Sequence, residues 1–557
     1  MTTLRASFEA VWAELAAIGD GGPAGYHRFA WTAVDLELRE WFARQAASRD
    51  MRCERDRNGN LWAWWGEPGP GAVVTGSHLD SVPGGGAYDG PLGVVSAFLA
   101  VDELRARGVT PSRPIAVVNF ADEEGARFGV ACVGSRLLTG VLAPGTARAL
   151  RDGDGVTLAE AMRAAGADPE AIGRDDEALS RIEVFVELHI EQGRGLVDLG
   201  APVGVAAAIW PHGRWRCTFH GAADHAGTTR LADRRDPMLP FATTVLAARA
   251  AAERLGGLAT FGKVLVTPNG TNAIPSRVDA WLDARAPREE TVRDILSEVT
   301  RAAEHASAEH GVRTEVVPES YTPVVEFDTA LRDHIAKILG GVPEAAARNG
   351  LVGGLGGVPE VAVRDGLVGG LGGVPEVVVR DGLVGGLGGV PEVVVRDGSV
   401  GGLGGVPEVV VRDGSVGGLG GVPEVVVRDG SVGGLGGVPE VAVRDGSVGS
   451  LGGVPEAAVP DDSVGSLGGV REAGVREGLV GGVGGVPVLP TGAGHDAGIL
   501  SGYVPAAMVF VRNPTGTSHS PEEYADVGDC VVGVAALAAV LEDLATMPGG
   551  SNRTSRE

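Results

Sequence analysis

The sequence predicts an α/β protein that contains a smaller inserted α+β unit and an array of short repeats. Three observations lead to this prediction. Strand-like and helix-like segments alternate through the first 200 residues. The pattern restarts near residue 213 for about 100 residues, and a 16-residue unit then recurs from about residue 340 to residue 487. Because a strand and a helix follow the array, we expect the smaller unit to interrupt one larger domain.

In the larger part, the amphipathic pattern around Leu36, Leu38, Trp41 and Phe42 predicts that residues 1–55 are helical. Apolar runs predict the strands 60–65, 72–77, 114–120, 184–189 and 506–511, and periodic segments predict the helices 93–107 and 528–544. The inserted unit is expected to contain strands at 215–219, 263–267 and 278–285, with helices at 236–254 and 290–310.

The array repeats a unit close to VPEVVVRDGSVGGLGG, and its nine units account for 144 residues. The prolines that recur every 16 residues are Pro343, Pro359, Pro375, Pro391, Pro407, Pro423, Pro439 and Pro455, then Pro487, with Arg471 at the intervening position. In-register removal leaves 413 residues, so we interpret the array as a duplication within one loop. The glycine content favours a flexible or partly ordered extension. A stacked β-array and a binding module are the alternatives, and nothing in the unit looks catalytic.

Composition excludes several classes of protein. The chain has 557 residues and a formal net charge of −25, which argues against a nucleic-acid binder because phosphates would be repelled. Its four cysteines lack a C-x-x-C spacing, which excludes a disulfide scaffold or a cysteine zinc finger. The N-terminus has no apolar core typical of a signal peptide, and the apolar run 531–541 is too short for a bilayer. We therefore expect a cytoplasmic protein.

Polar residues follow the predicted strands. His78, Asp80 and Asp89 come after the strand 72–77, at the edge where open α/β sheets bind ligands. The intervening glycines permit a tight loop that brings Asp89 back toward His78. A satisfied turn histidine is the simpler reading of His78, and a phosphate loop is disfavoured because no G-x-x-x-x-G-K-[ST] pattern is present. The three residues together favour metal chemistry.

Two further strand ends and one segment before a predicted helix carry similar side chains. Glu123 and Glu124 follow the strand 114–120, where adjacent carboxylates repel each other unless a cation or a proton is shared. Acids at a helix N-terminus are the ordinary alternative. His189 ends another strand, and His519 precedes Pro521, which is expected to begin a helix.

The side chains at these positions supply oxygen and nitrogen donors and no sulfur, a combination that suits Zn, Mn or Co. Their number suffices for two metals bridged by one carboxylate. These candidate ligands are His78, Asp89, Glu124, His189 and His519.

Seven strings match one family, in its order: GSHLDSVPGGGAYDGPLGV, ADEEGARFG, ELHIEQG, ADHAGTT, LDAR, GAGHDA and SHSPEE. The chain resembles the M20 metallopeptidase-like amidohydrolases, and within them the N-carbamoyl-L-amino acid hydrolase and allantoate amidohydrolase branch. ELHIEQG favours this hydantoinase/carbamoylase branch, because general peptidases of the superfamily usually carry a carboxylate where His189 stands. Arg230 departs from the family, which commonly has Pro after HAGTT.

The resemblance implies that His78, Asp89 and His189 bind one metal and that Asp89, Glu124 and His519 bind the other. It implies that Glu123 is the general base and acid and that Asp80 orients His78. The implied substrate contacts are Gln192, His225, Asn272, Arg285 and His495. A small carbamoyl or ureido compound would be the substrate, and the lid would form a homodimer.

The implied fold is a metal-dependent aminopeptidase-like catalytic domain of residues 1–212, 321–343 and 488–557. A lid/dimerisation domain would span residues 213–320, and the repeat insert residues 344–487. An aminoacylase or dipeptidase of the same superfamily is the alternative enzyme, and a non-catalytic repeat-bearing binding protein is the alternative outside enzymes.

Overall fold

The computed structural model describes residues 2–340 and 486–546, together with short strands between residues 352 and 458. In residues 2–340 and 486–546 the α-helices are Thr2–Ala16, Ala33–Ala47, Pro91–Ala106, Val133–Thr139, Pro144–Ala149, Leu158–Ala164, Asp176–Arg181, Gly195–Asp198, Met238–Leu255, Glu289–Glu309, Thr329–Gly340, Asp496–Leu500 and Val527–Thr546. None of the helices in the described part of the chain has both the length and the apolar character that crossing a bilayer requires.

A nine-stranded sheet forms the centre of the larger part. Its order across the sheet is Arg52–Arg55, Leu61–Trp65, Ile115–Phe120, Ala72–His78, Ile182–Ile190, Ala506–Val511, Val203–Ile209 and Val325–Glu326, and Val488–Thr491 also pairs with Val203–Ile209. The central strands, from Ile115–Phe120 to Ala506–Val511, run parallel. The mixed α/β fold predicted from the alternating pattern is confirmed.

The central strands are apolar throughout because helices cover both faces of the sheet. Val73 and Val117 belong to a core that includes the helices Pro91–Ala106 and Val527–Thr546. Their neighbours Val74 and Val118 belong to a second core on the opposite face. This double burial fixes the register of the strands, since a slip of one residue would exchange the two faces. The residues at the strand ends are therefore held in place.

A second, antiparallel sheet contains four strands in the order Arg313–Thr322, His212–His220, Arg277–Arg285 and Leu258–Thr267. Burial alternates along Arg277–Arg285, as expected for a strand with one covered face. The helices Met238–Leu255 and Glu289–Glu309 contribute Ala248, Ala252 and Ile295 to that covered side. A two-residue pair, Asp224–His225 with Ala273–Ile274, lies outside this sheet.

Several elements differ from the sequence-based expectations. Residues 52–55 form an edge strand rather than helix, and residues 521–526 are irregular rather than the start of a helix. The helix expected at 528–544 is present as Val527–Thr546. Arg313–Thr322 was not predicted as a strand, because Pro318 lacks a backbone N–H and polar residues surround it. An edge strand tolerates this proline, and the pairing there is irregular between Pro318 and Ser320.

The described strands of the repeat region pair in parallel with a register step of one unit, as in Glu376–Arg380 against Glu392–Arg396. They are Val352–Gly353, Val361–Arg364, Leu367–Gly369, Glu376–Arg380, Leu383–Val384, Glu392–Arg396, Ser399–Gly401, Glu408–Arg412, Ser415–Gly417, Glu424–Arg428, Ser431–Gly433, Leu435–Gly436, Glu440–Arg444, Ser447–Val448, Leu451–Gly452 and Glu456–Ala458. Among these strands are two seven-stranded sheets and a two-stranded one.

We predict that deletion of residues 344–487 leaves the rest of the chain folded. The helix Thr329–Gly340 precedes the array, and Val486, near the end of the deleted range, lies in the same apolar core as Leu339. The deletion places Val342 and Pro343 where Val486 and Pro487 stand, with identical residue types. Because loop-closure free energy changes slowly with length, the midpoint of thermal unfolding should stay within about 4 °C, the shift that about 1 kcal/mol produces.

Circular dichroism during heating measures this midpoint. The matched control also removes Val488 and Leu489, which are buried in the main sheet, and it should unfold at a clearly lower temperature. A deletion of residues 344–487 that yields an unfolded chain would contradict the prediction.

Candidate metal centre

The candidate site lies at the carboxyl ends of the central parallel strands. His78 is the last residue of Ala72–His78, and His189 is the next-to-last residue of Ile182–Ile190. The segment with Glu123 and Glu124 directly follows Ile115–Phe120. Since these strands are neighbours and parallel, their ends meet at one edge of the sheet.

The carboxylate of Asp89 occupies the centre of this edge. Its Oδ1 lies 3.5 Å from Nε2 of His78 and 3.2 Å from Nε2 of His189. Its Oδ2 lies 3.5 Å from Nε2 of His519, which in turn lies 3.6 Å from Oε2 of Glu124. The two groups His78–Asp89–His189 and Asp89–Glu124–His519 each bring their donor atoms within 4.8 Å of one another. The predicted convergence of these five side chains is thus present.

The glycine-rich loop makes this convergence possible. Gly90 has a φ of 85°, and a Cβ there would lie 2.4 Å from the ring of His78. The expected return of Asp89 toward His78 is therefore confirmed, and it requires glycine at position 90.

The ring orientations fit a cation. Nδ1 of His78 lies 3.1 Å from the carbonyl of Asp80, and Nδ1 of His189 lies 2.8 Å from the carbonyl of Ile190. Both Nε2 atoms are buried without a hydrogen-bond partner among the described residues. Two unpartnered imidazole nitrogens facing one carboxylate oxygen are the donor arrangement that a divalent cation prefers. These residues therefore fit a divalent-cation site.

A third combination, Glu187, His189 and His495, also brings donor atoms together. Its use as a separate site conflicts with the first group, because His189 has only Nε2 free. The carboxylate of Glu187 is also engaged, with Ser77 Oγ at 2.7 Å and the N–H of Ala497 at 3.0 Å. Glu187 thus fixes the start of the helix that follows His495.

The buried carboxyl groups resist ionisation together. Burial raises the pKa of Glu124 to about 10, and the charges of Asp89 and Glu123 add to the effect. Burial also raises the pKa of Glu123 to about 7, with Asp80 and Asp89 contributing. A cation at this position would offset the repulsion and favour the charged carboxylates.

Glu123 lies beside the centre. Its Oε2 is 3.8 Å from Nε2 of His78, and its Oε1 accepts a hydrogen bond from Sγ of Cys132 at 3.2 Å. The thiol therefore holds one carboxylate oxygen while the other faces the histidines.

Asp80 connects two segments of the site. Its Oδ1 accepts the N–H of Glu123 at 3.1 Å and its Oδ2 accepts the N–H of Glu124 at 3.0 Å. Nδ1 of His78 is closer to the carbonyl of Asp80, at 3.1 Å, than to its carboxylate, at 3.6 Å. Asp80 therefore holds the acidic segment as well as the imidazole.

Two of the predicted substrate contacts lie in the same cluster. Gln192 donates from Nε2 to Oδ2 of Asp89 at 2.7 Å, and its Oε1 is buried without a partner among the described residues. The ring of His495 packs edge-on against that of His189, with centroids 4.5 Å apart. Burial lowers the pKa of His495 well below its ordinary value, and the charge of His189 adds to this.

The other three predicted contacts lie on the second sheet and beside it. His225 and Asn272 are exposed, and among the described residues neither has a hydrogen bond to the candidate metal ligands. Arg285 donates to Asp283 from Nε and one terminal nitrogen, and to the carbonyl of Gly492 from the other. Three of its five N–H groups are thus engaged, which leaves one on each terminal nitrogen.

Glu523 was missed by the sequence analysis. Its Oε1 accepts the N–H groups of Tyr88 and Asp89, both at 2.9 Å. Ser518 was also missed, and its Oγ lies 3.2 Å from Oδ2 of Asp89. The only sequence signal was the SHSPEE string itself, and the expected helix at Pro521 would have placed Glu523 in a helical turn. The segment is irregular instead, so its carboxylate reaches the neighbouring loop.

Comparisons with known proteins agree with this geometry. The model of peptidase family M20/M25/M40 matches residues 74–357 and 473–543. An N-carbamoyl-L-amino acid amidohydrolase of Geobacillus stearothermophilus is 36% identical over 62% of this chain and 87% of its own length. An allantoate amidohydrolase of Escherichia coli is 34% identical over 54% of this chain and 73% of its own length.

The fold also matches solved structures. The crystal structure of an amidase of the hydantoinase/carbamoylase family from Burkholderia vietnamiensis aligns with a TM-score of 0.65 at 22% identity, covering 98% of each chain. The family match spans more than half of the sequence and includes the strands and loops that assemble the cluster. The chain therefore belongs to peptidase family M20/M25/M40.

Proposed function

We propose that this chain is a metal-dependent amidohydrolase that cleaves the carbamoyl or ureido C–N bond of a small substrate. N-carbamoyl-L-amino acids, ureidopropionate and allantoate are the candidates, with ammonia, carbon dioxide and an amino-acid-like product released. The observation that carries the proposal is the position of Asp89, whose two oxygens face different donor groups next to a buried glutamic acid. Two relatives that align with this chain over most of their own length are named as amidohydrolases of N-carbamoyl-L-amino acids and of allantoate, which supports this substrate class.

Two divalent cations, of Zn, Mn or Co, are proposed as cofactors. His78, Asp89 and His189 would hold one, and Asp89, Glu124 and His519 would hold the other. When bound, such cations polarise a carbonyl group and lower the pKa of water toward neutrality.

Glu123 is proposed as the general base and acid. Without a cation, burial raises the pKa of this carboxyl group to about 7. Bound cations would favour its carboxylate form, which would accept a proton from water and return it to the leaving nitrogen. The thiol of Cys132 restrains Oε1, so Oε2 is the oxygen that transfers the proton. Asp80 holds Glu123 through its backbone N–H.

Arg285 suits the carboxylate of an amino-acid-like substrate. Asp283 holds the guanidinium in place, and the two remaining terminal N–H groups match the spacing of two carboxylate oxygens. Gln192 and His495 are proposed to contact the substrate at the cluster, and His225 and Asn272 to contact it from the lid.

Residues 213–320 are proposed as a lid and dimerisation domain between the parts 1–212, 321–343 and 488–557 of the catalytic domain, with residues 344–487 as a repeat insert. In the proposed lid, the strand Leu258–Thr267 lies at the edge of the four-stranded sheet and has no further neighbour among the described strands. Leu265 on that strand is 53% exposed, and Leu246 on the helix Met238–Leu255 is 72% exposed. An open strand edge beside exposed leucines favours pairing with a second copy.

Glu123→Gln is expected to keep the cations and to lower kcat by about 10²–10⁴-fold, the usual contribution of a general acid–base group. The measurement is ammonia release from N-carbamoyl amino acids, ureidopropionate and allantoate, with acyl amino acids and dipeptides in the same panel. Glu103→Gln changes a glutamate on the helix Pro91–Ala106 and is the control. Turnover of the acyl substrates alone would contradict the proposed bond specificity.

Cation binding is expected to release protons. Burial by itself lowers the pKa of His189, but the carboxylate of Asp89 outweighs it and raises the pKa to about 9. Burial also lowers the pKa of His78, but the carboxylates of Glu123, Asp89 and Asp80 outweigh it and leave that pKa well above its ordinary value. The imidazole of His189 is thus protonated at pH 7 without a cation, and the raised pKa of His78 favours its protonated form as well. Ligation requires the neutral form of each imidazole.

Affinity for Mn²⁺ should therefore rise between pH 6.5 and pH 8.5, by about tenfold per pH unit for each proton released. Isothermal titration in buffers with different ionisation enthalpies counts those protons. His189→Ala should lower the number of protons released by at least one. His305→Ala, at an exposed position, should leave that number unchanged. An affinity that does not change with pH would exclude this mechanism of binding.

Leu246→Glu and Leu265→Lys are each expected to convert a dimer into a monomer, because a charge would be buried in the proposed interface. Light scattering after size-exclusion chromatography should give twice the chain mass of 56.6 kDa for the unchanged protein. Val141→Glu, an exposed apolar position in the first part of the chain, should leave the dimer intact. A monomeric unchanged protein would disprove the proposed assembly.

A further inference from the structure

Glu523 joins two loops that are far apart in the sequence. It is 4% exposed, and its Oε1 accepts the backbone N–H groups of Tyr88 and Asp89, which are separated from it by 435 and 434 residues. A carboxylate that accepts two N–H groups restrains both peptide units. Glu523 therefore fixes the main chain from which the Asp89 side chain projects.

The second oxygen of Glu523 extends this contact to the Asp89 carboxylate. Oε2 lies 3.3 Å from Oγ of Ser518, and the same hydroxyl lies 3.2 Å from Oδ2 of Asp89. Gly86 leaves room for this arrangement, because a Cβ there would be 2.4 Å from Cβ of Glu523. Glu523 thus restrains Asp89 through both its backbone and its side chain.

The two candidate cation groups differ in how their histidines are held. His78 and His189 are buried strand residues whose Nδ1 atoms face backbone carbonyls. His519 belongs to no strand or helix, its side chain is 51% exposed, and its φ is 56°. Among the described residues, its loop contacts the cluster through Ser518 and Glu523, together with Gln192. Tyr524 also packs edge-on against Tyr88, with ring centroids 6.3 Å apart. This half of the centre depends on loop docking rather than on the sheet.

We propose that Glu523 is a positioning residue that docks the His519 loop onto the Asp89 loop and thereby assembles the group Asp89–Glu124–His519. The inference rests on the proposed two-cation centre and adds an asymmetry to it. The His78–Asp89–His189 group is formed mainly by the sheet, and the other group depends on Glu523.

The test is a Mn²⁺ titration of the full-length metal-free chain, with the bound metal counted after equilibrium dialysis. The unchanged protein should bind two ions. Glu523→Ala should retain one with little change and bind the other about 10–100-fold more weakly, as for residues that support metal ligands. Glu523→Gln should restore most of the second affinity, because an amide oxygen still accepts both N–H groups.

Glu522→Ala is the matched control, because Glu522 is the exposed neighbour and contacts only Ser520 among the described residues. Equal affinity of Glu523→Ala and the unchanged protein for both ions would overturn the role of Glu523. An unchanged protein that binds fewer than two ions would overturn the two-cation centre itself. If Glu523→Ala does not fold, Glu523→Asp replaces it. The shorter side chain of Glu523→Asp should lower the affinity for the second ion, whereas Glu523→Gln should not.

Discussion

The candidate site depends on one carboxylate, Asp89, that lies between three imidazoles. One of its oxygens is within 3.5 Å of two histidine nitrogens, and the other is 3.5 Å from a third. A group shared in this way must be positioned from several sides. The glycine at position 90 permits the approach to His78, Gln192 donates to one oxygen, and Glu523 holds the backbone. We therefore expect changes at Gly90 or Gln192 to act on the shared carboxylate, whereas a change at Glu523 acts mainly on the group Asp89–Glu124–His519 through the His519 loop.

The electrostatics of the cluster follow from its burial. Carboxylates at this depth are destabilised by desolvation and by one another, which is why the pKa of Glu124 is raised to about 10. Positive charge offsets the repulsion, either as protons on the imidazoles or as bound cations. The same arrangement leaves Glu123 with a pKa of about 7. The fit for a cation and the raised pKa of Glu123 are thus two consequences of one dense group of acids at the sheet edge.

Much of the fold could be predicted from local patterns. Runs such as Ile115–Phe120 are apolar because both faces are covered, and this signal is visible in the sequence. Arg313–Thr322 could not be recognised, because Pro318 and its polar neighbours are acceptable only at a sheet edge. Residues 52–55 were mistaken for helix for a related reason, since they form a short outer strand with little burial.

The sequence by itself determined which residue types could ligate a cation and at which strand ends they occur, because strand periodicity and tight glycine turns are local properties. It also grouped His78, Asp89, Glu124, His189 and His519 by the chemistry of their donor atoms, and the resemblance to a family then implied how they divide between two cations. Only the tertiary structure decided that Cys132 restrains Glu123 and that Glu523 supports Asp89. These contacts join segments through hydrogen bonds of about 3 Å, and a linear pattern carries no information on distances that arise when distant loops fold together.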